Sequence, residues 1–162
     1  MRHGKGPGGV IAVYAAAVLA AAGVHAESDY AWMSENFEDN VSLSYGSPES
    51  GEDMLFFIYC NNRDRHSELT VYEEIEGAEA GQPLMIEIGA GAAKVSIEGR
   101  TATDEMNGYI YGMAEKFPVR PLLGVLKGDG PVTVKMGAAT ATLPEAGRAD
   151  AVSAFDGDCK LD

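Results

Sequence analysis

Two cysteines, Cys60 and Cys159, constrain this chain more than any other feature of its sequence. Cys60 ends the apolar run 54–60, which indicates a central buried strand, and Cys159 lies three residues from the C-terminus. In an exported domain, an isolated pair of this kind favours one structural disulfide. A redox pair would have its thiols close in sequence, and a metal site would need more Cys or His. We therefore predict a Cys60–Cys159 disulfide that encloses about 100 residues.

The first 26 residues have the layout of a secretory signal peptide. Arg2 and Lys5 make the start basic, an Ala-rich apolar run follows, and Val24-His25-Ala26 places small residues at the cleavage position. The apolar run is too short and too Ala-rich for a typical membrane anchor, although an uncleaved anchor is the alternative. The sequence predicts a cleaved signal peptide over 1–26 and a periplasmic or secreted domain over 27–162, without stable membrane insertion after cleavage.

The predicted exported domain is strongly acidic. Residues 27–162 carry ten of the twelve basic residues and all 25 acidic ones, which gives a net charge of −15. Nucleic acids and anionic membranes bind basic patches, so we expect neither as a partner. The charge suits a cationic partner, but it also favours solubility, and the sequence leaves both interpretations open.

Short alternating segments, separated by turn residues, predict a mainly antiparallel all-β fold. The clearest hairpin joins residues 84–88 to residues 93–98 through a Gly-Ala-Gly turn. Two short helices are expected over 118–126 and 147–155, the first beginning near Pro121 and ending before Gly128. We predict a single-domain β-sandwich or barrel of about eight short strands with two short helices and one disulfide. The other predicted strands cover 41–45, 55–60, 68–73, 106–113, 132–136 and 140–143.

His66 is the only histidine of the predicted exported domain, and Asp64 and Glu68 are close to it in sequence. An imidazole beside a carboxylate suits a general base or one metal ligand. A zinc site needs three or four protein ligands, however, and no serine lies in a Gly-x-Ser-x-Gly turn. Residues 61–68 are therefore interpreted as a solvated hairpin loop. We predict no catalytic residue, no metal ligand and no cofactor, with an envelope hydrolase using His66 and Asp64 as the least favoured alternative.

Tyr109, Tyr111 and Met113 alternate along one predicted strand and therefore share a face. Tyrosine and methionine side chains are frequent at adaptable binding surfaces, whereas large apolar side chains are more often part of the core. Together with Leu122 of the first predicted helix, these residues form the candidate binding surface.

The order of features resembles a group of small exported bacterial proteins. Trp32, an apolar strand ending in Cys60, a Gly-rich middle, a short Leu-containing helix and a terminal helix leading to Cys159 follow the leader. This layout is similar to that of type VI secretion accessory proteins of the TagO type and of invasion-associated locus B proteins. The Ala-rich leader and the Gly/Glu-rich body look like an α-proteobacterial protein. The resemblance implies a periplasmic β domain that works through protein contacts.

The sequence thus predicts a non-enzymatic exported β domain that binds a protein or an envelope component. The alternative is a small-ligand-binding protein with an apolar pocket near Tyr109, Tyr111 and Leu122.

Overall fold

Nine strands and two helices form the part of the chain that the computed structural model describes, residues 29–51 and 53–162. The predicted signal peptide lies outside these residues, so it stays a prediction. The strands are β1 (Ala31–Phe37), β2 (Asn40–Gly46), β3 (Met54–Asn61), β4 (His66–Val71), β5 (Pro83–Ala90), β6 (Ala93–Thr103), β7 (Ile110–Glu115), β8 (Val132–Met136) and β9 (Ala139–Leu143). The helices are α1 (Val119–Leu126) and α2 (Arg148–Asp158).

All nine strands pair antiparallel in one sheet, in the order β1-β2-β3-β4-β7-β6-β5-β8-β9. Short turns suffice for antiparallel neighbours, and the chain uses them from β1 to β4, between β5 and β6, and between β8 and β9. The mainly antiparallel fold is confirmed, with nine strands instead of about eight. The sheet is open, so the closed-barrel alternative was wrong.

The predicted hairpin between β5 and β6 is present. Ile86 pairs with Ile97 and Ile88 with Val95, and the turn contains Gly91 at a φ of +55°. Glycine adopts this left-handed backbone without a steric penalty, which fixes the turn and hence the pairing.

Strand β1 is the element that the sequence prediction missed. Trp32 is the one buried residue of this strand, and the polar residues Ser34 and Asn36 follow it on the same side of the strand. Alternation is therefore weak. The strand is nevertheless paired along its whole length with β2, and the Trp32 indole donates a hydrogen bond to the carbonyl of Pro144 at 2.7 Å. Trp32 therefore belongs to the core.

The core lies between one face of the sheet and the two helices. Phe56, Ile58 and Cys60 alternate along β3 and are fully buried. Helix α1 packs on β5 and β6, whereas α2 packs on β1 and β2. The helix side chains in this core are Val119, Leu122, Leu123, Val125, Leu126, Arg148, Ala151, Val152 and Phe155.

The predicted Cys60–Cys159 disulfide is present, with 5.9 Å between the two Cα atoms. It joins β3 to the residue that follows α2. Two hydrogen bonds of the Asn62 side chain support the same junction: its Nδ2 donates to the Asp158 carbonyl at 3.0 Å, and its Oδ1 accepts from the Lys160 N–H at 2.8 Å. The C-terminal segment is therefore anchored to the end of β3.

Neither α1 nor α2 has the length and apolar character that crossing a membrane requires; this applies to the described residues only.

Candidate binding surface

The sheet has two faces. The inner face carries the core and packs against α1 and α2, and the outer face is the opposite one. Alternation along the strands assigns side chains to the outer face, and the register places them in rows. One row runs Phe57, Thr70, Met113, Arg100 across β3, β4, β7 and β6. A second row runs Tyr59, Glu68, Glu115. We use "outer face" for these residues together with His66, Tyr72, Tyr109 and Tyr111.

Three tyrosines form a cluster on the outer face, which we call the tyrosine cluster: Tyr72, Tyr109 and Tyr111. The ring centroids of Tyr72 and Tyr111 are 5.1 Å apart, and those of Tyr109 and Tyr111 are 6.4 Å apart with the rings edge to face. All three side chains are half-buried. Such ring pairs are attractive beyond the area that they bury, so the cluster is held in a defined arrangement.

Backbone hydrogen bonds fix each member of the cluster. Tyr111 belongs to β7, and Tyr72 follows β4, where its N–H donates to the Leu55 carbonyl at 2.9 Å. The carbonyl of Tyr109 accepts from the Asp104 N–H at 2.9 Å. The three rings therefore come from β7 and from two connections that are anchored to the sheet.

The loop between β6 and β7 borders the tyrosine cluster and is organised by Asp104. One oxygen of its carboxylate, Oδ1, accepts the N–H groups of Met106 and Asn107, both at 2.9 Å. These hydrogen bonds, those to Asn107 first, lower the pKa of Asp104, so the group is ionised. The prediction that a strand starts at Met106 was wrong, because Met106 belongs to this loop and β7 begins only at Ile110. In the loop, the Met106 side chain is 89 % exposed.

The electrostatic environment of the cluster is negative. Burial is the main cause that raises the pKa of Tyr109 to about 12, and the carboxylate of Asp104 adds to it. The pKa values of Tyr72 and Tyr111 are raised as well, first by burial and then by charges that include Glu68 and Asp104. The tyrosines are therefore neutral hydroxyl groups at ordinary pH, beside two carboxylates.

Met113 lies on the outer face as the alternation predicts, next to an ion pair. Arg100 Nη1 is 2.7 Å from Glu115 Oε2, and the Arg100 guanidinium lowers the pKa of the Glu115 carboxyl. The two side chains are 47 % and 40 % exposed, so the ion pair contributes little to the stability of the fold and mainly orients the two groups.

Leu122 does not belong to this surface. It is fully buried on α1 within the core cluster, on the inner side of the sheet. Tyr111 lies on the outer face, because alternation along β7 places its neighbour Gly112 on the inner face. Sequence order placed Leu122 near Tyr111, but the sheet separates them. The predicted surface therefore retains Tyr109, Tyr111 and Met113 and gains Tyr72.

Gly112 explains why the inner side of β7 is closed to a ligand near the tyrosines. A Cβ atom at this position would lie 2.3 Å from Met136 Sδ and 2.9 Å from a methyl carbon of Leu84. The backbone of β7 is thus packed directly against core side chains, a close approach that only a residue without a side chain allows.

A groove of about 330 Å³ lies elsewhere on the sheet, across β5, β6 and β8. Charged and polar side chains form much of its lining, among them Glu87, Lys94, Ser96, Thr133 and Lys135. Its position differs from that of the apolar pocket predicted near Tyr109, Tyr111 and Leu122.

His66 lies on β4 and not in a loop, because the turn after β3 is confined to residues 62–65. The backbone N–H of Asp64 donates to Asn61 Oδ1 at 2.7 Å within that turn. In the described part of the chain, the side chains of His66 and Asp64 are not hydrogen-bonded to each other. The structure instead groups His66 with Glu68 and Glu115.

Fold and surface together define this chain as a β domain with an open antiparallel sheet, one disulfide between β3 and the C-terminal segment, and an aromatic and acidic outer face. No family model, curated protein or solved structure that was compared with the chain matches it. The resemblance to TagO-type and invasion-associated locus B proteins stays a prediction.

Proposed function

We propose that this chain is a non-enzymatic exported domain that binds a basic segment of a protein partner through its outer face. The observation that carries the proposal is the tyrosine cluster, in which three half-buried rings lie beside the carboxylates of Glu68 and Asp104. Tyr side chains offer rigid contact area that combines an apolar body with a polar tip, and are enriched at protein interfaces.

The chemistry of the surface selects a cationic partner. A Lys or Arg side chain over a tyrosine ring is attracted by its π-electrons, and nearby carboxylates add Coulomb attraction. The chain as a whole carries 25 acidic against 12 basic residues, which steers positively charged segments toward it. Met113 and the 89 % exposed Met106 border the cluster with adaptable apolar contacts.

A binding experiment with a ten-lysine peptide tests the surface. Tyr111→Ala should weaken binding about fivefold at low ionic strength, because a cation–π contact at a partly exposed site contributes about 1 kcal/mol. Fluorescence anisotropy of the labelled peptide measures the affinity. The substitution leaves the net charge unchanged, so a loss of binding reports the ring itself.

Phe37→Ala is the matched control, since it removes an aromatic ring that is 72 % exposed on the edge strand β1. It should bind the peptide as tightly as the unsubstituted chain. Equal affinity of Tyr111→Ala and the unsubstituted chain would show that the peptide is held by diffuse negative charge and would refute the proposed surface.

Export to an oxidising compartment is part of the proposal. The leader over 1–26 supports it, as does the disulfide, since disulfides persist in the periplasm and outside the cell. An intact mass of the protein from the native envelope should begin at Glu27 and lack two hydrogens. A mass that includes residues 1–26 would contradict cleavage of the signal.

A small-molecule ligand is the second candidate, and the groove across β5, β6 and β8 is the observation that favours it. The same mass measurement, made under native conditions, separates the two proposals. An additional mass that is lost on denaturation would favour the ligand-binding function.

A further inference from the structure

We infer that His66, Glu68 and Glu115 form a binding site for a divalent transition-metal ion of the zinc class on the outer face. One ligand atom from each residue lies within 4.8 Å of the other two. Of these three residues the sequence analysis brought together His66 and Glu68, because Glu115 lies on β7, which reaches them only through its pairing with β4.

The strand geometry brings the three side chains to one place. His66 and Glu68 are two residues apart on β4, so both point to the outer face. Glu115 is the register partner of Glu68 on β7. Ligands of a tetrahedral zinc ion lie about 3.3 Å apart for bonds of about 2 Å, so the three ligand atoms have to approach one another by up to about 1.5 Å. None of the three side chains is fully buried, and rotation about their side-chain torsions is the movement that brings them together.

Groups outside the cluster orient both carboxylates. Thr70 Oγ1 donates to Glu68 Oε1 at 3.2 Å, and Arg100 Nη1 donates to Glu115 Oε2 at 2.7 Å. Each carboxylate therefore keeps its second oxygen for a metal ion, and outer contacts of this kind hold metal ligands in position. The two negative charges of the carboxylates exceed the one positive charge of Arg100, so the site retains an attraction for a cation.

The ligand set indicates the class of metal. Imidazole nitrogen with carboxylate oxygen suits Zn²⁺ and its neighbours, whereas Ca²⁺ and Mg²⁺ prefer oxygen ligands alone. Three protein ligands leave one position of a tetrahedral ion open to water or to a group of a bound molecule. The inference extends beyond the tyrosine cluster, and its test uses the metal ion alone, without the partner of the proposed function.

Calorimetric titration of the untagged chain with Zn²⁺ should show saturable binding of one ion. His66→Ala and Glu115→Gln should each weaken binding at least about tenfold, since a change in the supporting contacts of a metal site already costs about ten- to a hundredfold. Glu87→Gln, which removes a carboxylate from the outer side of β5, should leave the affinity unchanged. Excess Mg²⁺ or Ca²⁺ should not displace the ion.

Two results would overturn the inference. One is the lack of saturable Zn²⁺ binding by the unsubstituted chain. The other is unchanged affinity in both variants, which would assign the ion to residues outside this cluster. Glu115 is exposed, so Glu115→Gln tests the site even if His66→Ala disturbs β4.

Discussion

Replacing both cysteines, Cys60→Ala together with Cys159→Ala, should lower the free energy of unfolding by about 4–5 kcal/mol. The disulfide closes a loop with a sequence separation of 99 residues, so it removes much of the conformational freedom of the unfolded chain. Typical domains have a net stability of about 5–15 kcal/mol, and the variant should therefore be close to unfolding. Urea denaturation followed by circular dichroism measures the difference.

Reduction of the unsubstituted protein is the control for this experiment. It breaks the same bond without removing two buried sulfur atoms, and it should lower stability by a similar amount. A loss below about 1 kcal/mol in both cases would contradict a structural disulfide, and would mean that contacts such as those of Asn62 anchor the C-terminal segment unaided.

Arg148→Met should destabilise the domain by about 3 kcal/mol. Arg148 is only 2 % exposed, and its guanidinium donates to the carbonyls of Leu126 at 2.8 Å, Gly130 at 2.8 Å and Gly128. These carbonyls belong to the end of α1 and the connection to β8, so the side chain supplies donors to acceptors that the helix cannot satisfy itself. Methionine fills a similar volume but leaves three carbonyls without their donor. The midpoint of urea denaturation measures the loss.

Two further variants separate the role of hydrogen bonding from that of charge. Arg148→Lys keeps the positive charge but not the planar fork of donors, and we expect it to be nearly as destabilising as Arg148→Met. Arg63→Met, on a side chain that is 74 % exposed, should change stability by less than about 0.5 kcal/mol. A stable Arg148→Met variant would show that α1 ends without the help of α2.

Most of the fold follows from local sequence signals. Alternation with Gly-containing turns located β5 and β6, and the spacing of Leu122, Leu123 and Leu126 located α1. The end of β6 and the start of β7 were less predictable, because the apolar Met106 stands shortly before the alternating residues 109–113 and the strand pattern was extended back to it. The hydrogen bonds of Asp104 to the backbone hold this segment as a turn instead.

The binding surface was only partly predictable, for a physical reason. Alternation placed Tyr109, Tyr111 and Met113 together because that signal is local. Tyr72 and Glu115 join the surface through the pairing of β4 with β7, which depends on the long-range order of the strands. Arg148 was missed because an arginine in a helix normally points to solvent, and only the tertiary structure shows its three buried acceptors.

A nuclear magnetic resonance titration of the isotopically labelled chain with the ten-lysine peptide tests the proposed binding surface most directly. Saturable shifts of the backbone amides of Tyr72, Tyr109 and Tyr111 and their neighbours, larger than those elsewhere on the acidic surface, are the expected result. Shifts spread evenly over the acidic residues, or centred on the groove of Lys94 and Lys135, would contradict the assignment of the binding function to the tyrosine cluster.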